Sequence, residues 1–201
     1  PQLYLSGVAS LTREQEQSTE ATVKEVIRRL RSYQTVDGSF SYWPGGTAPN
    51  AWGTVYAIHF LLEAEKKGYL VPEGMMRNAL NDLSRIARNW KPEASYSAES
   101  EEMTQAYRLF VLALGQVAEV GAMNRLKESK TLMSMSRYLL AAGYALVGRP
   151  DVSKELVVKT TALTTACSGY DQTFGSDLRD TSIRLMTLCL LDGGKEAALL
   201  T

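Results

Sequence analysis

The sequence predicts an all-α fold made of antiparallel helix hairpins. Its apolar residues recur at the three-to-four-residue spacing of a helix through most of the chain. No stretch between turn signals alternates apolar and polar residues, as a strand of a half-buried sheet would. With 201 residues, of which 45% are hydrophobic and 22% charged, the chain is also long and apolar enough to build a globular core.

The predicted helices differ in how much apolar surface they carry. Helix 19–33 is amphipathic, because one face carries Val23, Val26, Ile27 and Leu30 while most charged side chains lie elsewhere. Helix 50–67 is apolar over most of its circumference, which is typical of a buried helix. The other predicted helices cover residues 72–90, 99–120, 130–147, 150–167 and 177–191, with a further helix start at 196–201.

This alternation of helix types favours an α/α toroid over an open solenoid. In a closed ring of helix pairs the inner helices are covered on all sides, as expected for 50–67, and the outer ones keep a polar face, as expected for 19–33. A weak internal repeat also indicates stacked helix pairs, since Phe40 and Phe174 each lie in a glycine-rich loop before an apolar helix. The irregular spacing disfavours a solenoid, which needs regular repeats.

The loop at 34–49 is predicted to be structural. Three glycines and two prolines exclude a continuous helix, but a solvated linker would not carry three aromatic side chains. We therefore expect Phe40, Tyr42 and Trp43 to pack onto helix 50–67, near Trp52 and Tyr56. A pocket for a sugar or an isoprenoid is the alternative interpretation.

No residue pattern predicts a catalytic site, a metal site or a cofactor. Lys and Arg together number 22, as do Asp and Glu, so the basic excess of a nucleic-acid groove is absent. No apolar run approaches the roughly 20 residues that cross a bilayer. The single histidine, His59, lies in the most apolar predicted helix and is interpreted as a core or rim side chain. The polar cluster 176–180 is interpreted as a helix N-terminus capped by Ser176 or Asp177.

The two cysteines are expected to be free thiols inside the fold. Cys167 and Cys189 fit no metal spacing, and two thiols do not make a disulfide framework. Cys189 stands among leucines, which predicts burial and slow reaction in the folded chain. A disulfide between the two is the alternative.

Four segments resemble the bacterial α2-macroglobulins. They are DGSFSYWPGG at 37–46, its continuation WGTVYAIHFLLEAEKKGY at 52–69, RYLLAAGYALVGRP at 137–150 and TFGSDLRD at 173–180. They occur in the same order as in that family and cover most of the chain. The first two and the last together are fairly specific, whereas the third alone is also typical of a helical repeat.

The resemblance implies a protease trap and not an enzyme. In that family the thioester domain is an α/α toroid, and a Cys-x-Glu-Gln motif forms an internal thioester. A protease cuts a bait region elsewhere, the molecule closes around it, and the thioester acylates it once. The implied partners are target proteases and other domains of the same parent chain, with no nucleic acid and no membrane insertion. The implied location is the periplasm or the cell envelope.

This chain lacks the reactive motif. Glu14 and Gln15 follow Thr12 at the position where the motif needs cysteine, and neither Cys167 nor Cys189 is followed by Glu-Gln. The opening residues resemble the end of the helix that carries the thioester in relatives, so the motif is expected upstream of Pro1. Residues 1–201 are then part of a thioester domain, without the bait region and the macroglobulin-like domains.

Two other functions stay open at this stage. An α-helical repeat or solenoid module would bind a protein partner on a concave face. A toroid enzyme of the terpenoid-cyclase or glycosidase type would need paired carboxylates or an Asp-rich cluster lining a cavity, and no such pair stands out in the sequence.

Overall fold

The computed structural model describes residues 2–92, 98–129, 132–158 and 173–192. After a 3-10 turn at Gln2–Tyr4, these ranges contain helices α1 Leu5–Val8, α2 Arg13–Leu30, α3 Ala51–Lys66, α4 Glu73–Asn89, α5 Ala98–Leu114, α6 Val120–Lys127, α7 Ser134–Leu146, α8 Pro150–Val158 and α9 Asp177–Asp192. Extended pairing in the described ranges is limited to isolated bridges, Gln34 with Phe40 and Ser41 with Pro49. The predicted all-α class is confirmed, whereas the toroid stays a prediction.

Several helix boundaries differ from the predicted ones, among them the end of α2 at Leu30 and the start of α7 at Ser134. Two further differences have clear local reasons. Helix α2 begins at Arg13 and not at 19, because Thr12 and Gln15 form a capping box in which each side chain accepts from the other's backbone N–H. Helix α5 ends at Leu114, before Gln116, whose φ of 60° breaks the helix. The predicted single helix 99–120 is therefore wrong beyond Leu114, and the short α6 was missed.

The chain divides into two compact units, Pro1–Asp82 and Leu83–Thr201. In the first unit, the core includes Val23 and Ile27 of α2 and Val55, Ile58 and Leu61 of α3. The predicted inward face of the first helix is confirmed at Val23 and Ile27, whereas Val26, which was predicted to share that face, is 39% exposed. The second helix is buried along one side, but its Tyr56 is exposed. Helix α3 starts at Asn50, whose Oδ1 accepts from the N–H of Gly53 at 2.6 Å.

In the second unit, α7 lies against α5, α8 and α9. Two hydroxyl groups from neighbouring helices donate to its backbone: Ser153 to the carbonyl of Ala141 at 2.7 Å, and Thr187 to that of Tyr138 at 3.0 Å. At Gly143 the backbone of α7 comes close to α5 and α6. A Cβ there would lie 3.6 Å from Cα of Phe110 and 3.2 Å from Cε of Met123.

The expectation that Cys189 is buried is wrong. Its neighbours Thr187 and Leu188 are buried, but Cys189 and Leu190 are exposed. The reason is helical geometry: successive residues of α9 point about 100° apart, so a leucine-rich run cannot all face inward. Cys167 lies outside the described residues. Within the described ranges, no helix combines the length and the apolar character needed to cross a bilayer.

Candidate functional site

The aromatic loop, residues 34–49, is a hydrogen-bonded hairpin. The N–H of Thr35 donates to the carbonyl of Ser39 at 2.8 Å, and the N–H of Gly38 donates back to Thr35 at 3.0 Å. Farther along, the N–H of Ser41 donates to Tyr33 at 2.8 Å and that of Asn50 to Phe40 at 2.8 Å. The loop therefore has a defined backbone, although its sequence forms neither a helix nor a regular strand.

The tip of the loop lies directly on α4. Gly38 has a φ of 109°, and a Cβ at this position would lie 2.3 Å from the carbonyl oxygen of Asn78. The side-chain amide of Gln34 donates to Met75 on α4 at 2.9 Å, and the hydroxyl of Ser39 donates to the buried carboxylate of Asp82. Only glycine combines this backbone conformation with so close an approach.

Phe40 is the loop's core residue. Its side chain is 2% exposed, and its backbone N–H and carbonyl both pair with the hydroxyl of Thr54 on α3, at 2.8 and 3.1 Å. The expectation that Phe40 packs down onto helix 50–67 agrees with this position.

The same expectation is wrong for Tyr42 and Trp43. Their side chains are 61% and 71% exposed, and Tyr56 on α3 is exposed as well. The cause is Ser41, which takes the inward position: its hydroxyl donates to the carbonyl of Tyr33 at 3.0 Å and pairs with that of Trp43 at 2.6 Å. Beyond Ser41 the chain turns outward, so the next two rings extend into solvent.

Tyr42 and Trp43 contact each other edge to face. Their ring centroids are 5.0 Å apart at an interplanar angle of 78°, the geometry that aromatic quadrupoles favour. The structural role of the loop stays a prediction, but the loop now has two sides, a buried one at Phe40 and an exposed one at this ring pair.

A second polar cluster joins the start of the chain to α3. The hydroxyl of Tyr4 donates to the carboxylate of Glu63, and Nζ of Lys67 lies 4.4 Å from the centre of the Tyr4 ring. Burial, reinforced by Glu63, raises the pKa of Tyr4 to about 12. On the same helix, burial lowers the pKa of His59, which is half-buried. A pKa lowered by burial agrees with the interpretation of His59 as a core or rim side chain.

The cluster at 176–180 forms the N-terminus of α9. The hydroxyl of Ser176 accepts from the N–H of Arg179 at 3.1 Å, which confirms the predicted cap. The guanidinium of Arg179 binds the carbonyl and hydroxyl oxygens of Thr173 at 2.8 and 2.7 Å and pairs with Asp180. These contacts fix the turn in which Phe174 has a φ of 52°.

The described residues contain no group of three His, Cys, Asp or Glu that could hold a metal ion. A surface pocket in the second unit has Arg88, Trp90, Lys91 and Arg125 among its lining residues, and Glu128 is the one carboxylate that the described residues contribute to it. A glycosidase needs two carboxylates on either side of its substrate. The described lining of this pocket therefore shows no such pair of carboxylates.

No family model matches the chain. Among curated proteins, it is 26% identical over 200 residues to "Alpha-2-macroglobulin" of Escherichia coli K12, which covers 94% of this chain. It is 30% identical over 128 residues to "Alpha-2-macroglobulin" of Xylella fastidiosa Temecula1, which covers 61% of this chain. The chain spans only 12% and 8% of the lengths of these two relatives.

Solved structures agree in fold. Native Escherichia coli alpha-2-macroglobulin aligns with the whole chain at a TM-score of 0.80 and 23% identity, using 13% of that protein. The trypsin-activated form aligns over 99% of the chain at a TM-score of 0.76. The resemblance to bacterial alpha-2-macroglobulins is therefore confirmed in both sequence and fold.

Proposed function

Since this chain resembles bacterial alpha-2-macroglobulins along nearly its whole length, we propose that it forms part of the thioester domain of a protease-trapping inhibitor. One observation carries the proposal: a sequence match over 94% of the chain and a fold match over all of it point to the same proteins. Solved neighbours described as trypsin-activated, elastase-activated and reacted with methylamine support a role in protease capture.

In this proposal the chain supplies scaffold and the reactive group lies upstream. A Cys-x-Glu-Gln motif before Pro1 would hold the internal thioester, and cleavage of a bait region by a protease would expose it. A lysine amine of the protease would then attack the thioester carbonyl, forming an amide as the carbon–sulfur bond breaks and the cysteine thiol leaves. The reaction occurs once per molecule, so the protein is a trap and not an enzyme.

The parent protein is proposed to act in the periplasm or at the cell envelope, as the family resemblance implies, and the curated relatives are bacterial proteins. The second candidate function is a helical interaction module that binds a protein without covalent chemistry. The exposed ring pair of Tyr42 and Trp43 favours it, because aromatic side chains are enriched in protein interfaces. The two functions differ in whether a covalent adduct forms.

The decisive experiment uses the full-length polypeptide encoded by the gene. We expect incubation with trypsin to give a higher-mass adduct that survives denaturation, and methylamine treatment beforehand to abolish it. Trapped trypsin should keep its activity on a small peptide and lose it on a large protein. The 201-residue chain alone should form no adduct. An intact full-length protein that forms no adduct and does not block cleavage of large substrates would overturn the proposal.

A further inference from the structure

We propose that the exposed ring pair of Tyr42 and Trp43 is the docking point for a neighbouring domain of the same polypeptide. This inference rests on the proposed function, because it requires this chain to be one domain of a longer protein. The surface of that neighbouring domain is expected to be apolar where it covers the two rings and acidic at the edge of the contact.

The ring pair has the features of an interface anchor. Tyr42 and Trp43 are 61% and 71% exposed, although each carries a large apolar ring. Tyrosine and tryptophan are the residues that most often dominate binding energy, when a partner covers them and excludes water. Burial of such rings on a partner removes apolar surface from water, which is the main favourable term in association.

The loop presents this pair in a fixed orientation. The hydroxyl of Ser41 pairs with the carbonyl of Trp43 at 2.6 Å, and the N–H of Gly45 donates to Ser32 at 2.6 Å. The two rings also contact each other edge to face. Since the backbone that carries them is already ordered, a partner that binds this surface has to order side chains but not the loop.

The charge beside the pair indicates the chemistry of the partner. The hydrogen bond from Gly45 to Ser32 places the outward turn next to the end of α2, where Arg28, Arg29 and Arg31 occur within four residues. Glu25 pairs with the first two of these arginines, at 2.7 and 3.2 Å. Three arginines against one glutamate leave an excess of positive charge, which a partner carrying carboxylates would complement.

The length of the curated relatives favours a domain of the same polypeptide as the partner that covers the ring pair. The curated relatives are so much longer that this chain corresponds to 12% and 8% of them. In such a protein a neighbouring domain is held at a high effective concentration. A small anchor of two rings and a basic edge is then sufficient, whereas a freely diffusing partner would need a larger interface.

The test is oxidative footprinting by hydroxyl radicals with mass spectrometry. It compares Tyr42 and Trp43 in the 201-residue chain and in the full-length protein, both wild type. We expect these two residues to be oxidised several-fold more slowly in the full-length protein. The buried Phe40 should react slowly in both and serves as the internal reference.

Three outcomes would overturn the proposal. Equal oxidation rates in the two proteins would show that no other domain covers the pair. Protection in the 201-residue chain that grows with its concentration would assign the surface to a second copy. Protection in that chain at every concentration would assign it to the chain's own residues.

A charge variant tests the basic edge. Arg28→Glu combined with Arg31→Glu in the full-length protein should raise the oxidation rate of Trp43 toward that of the 201-residue chain. Unchanged protection would show that the arginines do not contribute to docking. Protease capture is measured separately on the wild-type preparation, so failure of docking and failure of trapping are distinguishable.

Discussion

The α-carbon of Gly38 lies so close to the carbonyl group of Asn78 that a Cβ on it would be 2.3 Å from the oxygen. The aromatic loop is therefore pressed onto α4 at a point where no side chain fits. We expect Gly38→Ala to destabilise the fold by more than about 2 kcal/mol, because a positive φ and a clash with backbone add together.

Gly45→Ala is the matched control for this prediction. Gly45 also has a positive φ, 73°, but nothing lies within 4 Å of its added Cβ. Its substitution should cost only about 1–2 kcal/mol, the backbone penalty alone. Urea unfolding of both variants measures the difference. Equal losses of stability would mean that the loop moves away from α4 without penalty.

The two sides of the aromatic loop predict opposite results for two alanine substitutions. Phe40→Ala should cost about 3–5 kcal/mol, since it leaves a cavity where a ring was 2% exposed. Trp43→Ala should change the stability of the 201-residue chain by no more than about 0.5 kcal/mol, because its ring is already in solvent. Thermal or urea unfolding checks both. A large loss at Trp43 would restore the original expectation that this ring packs inward.

Glu102 gives the fold a pH dependence. Its carboxylate is buried and accepts from the N–H of Met133 at 2.9 Å. Burial raises the pKa of Glu102 above its ordinary value of 4.5, although the hydrogen bond from the N–H of Met133 opposes the rise. The folded state therefore holds this proton more tightly than the unfolded state does. The stability that Glu102 contributes through this proton is fully present below pH 4.5. It is lost as the pH rises through the pKa of Glu102 in the folded state.

Glu102→Gln should remove this part of the pH dependence. Glutamine keeps an acceptor for the N–H of Met133 but does not ionise. We expect the variant to gain stability relative to the wild type as the pH is raised from about 4 to about 7. Chemical unfolding at each pH gives the comparison. A stability difference that is independent of pH would exclude ionisation of Glu102 as the cause.

Cys189 should react with a thiol reagent such as dithionitrobenzoate while the chain is folded, because its side chain is exposed. Cys189→Ser should remove the label at position 189 and change stability by no more than about 0.5 kcal/mol. Peptide mapping after labelling identifies the modified cysteine. Labelling of Cys189 that appears only after denaturation would show that it is protected in the folded chain.

The helices could be predicted from the sequence because apolar periodicity is a local signal. The spacing of Val23 and Ile27 predicts the inner face of α2 from a short stretch of sequence. The apolar composition of α3 predicts that much of this helix is buried. The start of α2 was missed although Thr12 and Gln15 carry the spacing of a capping box. The break after α5 was missed because Gln116, a residue with no preference for positive φ, adopts it.

The orientation of the loop side chains could not be predicted, because it depends on partners far along the chain. Phe40 is placed by Thr54, and the tip of the loop by Asn78. Between Phe40 and Trp43, composition marks every aromatic residue as a candidate for burial. The hydroxyl of Ser41 decides which of them turns inward, and no local pattern reveals that its partners are carbonyl groups of the loop itself.

The surroundings of Gly143 in α7 can adjust to a larger side chain on one side, toward α6, but not on the other, toward α5. Toward α5 an added methyl group would meet the main chain at Phe110, which can move only if a whole helix moves. Toward α6 it would meet the terminal methyl of Met123, the end of a flexible, unbranched side chain. When a methyl group is added at Gly143, the side chain of Met123 can therefore rotate to make room for it. The distance between α5 and α7 then stays the same.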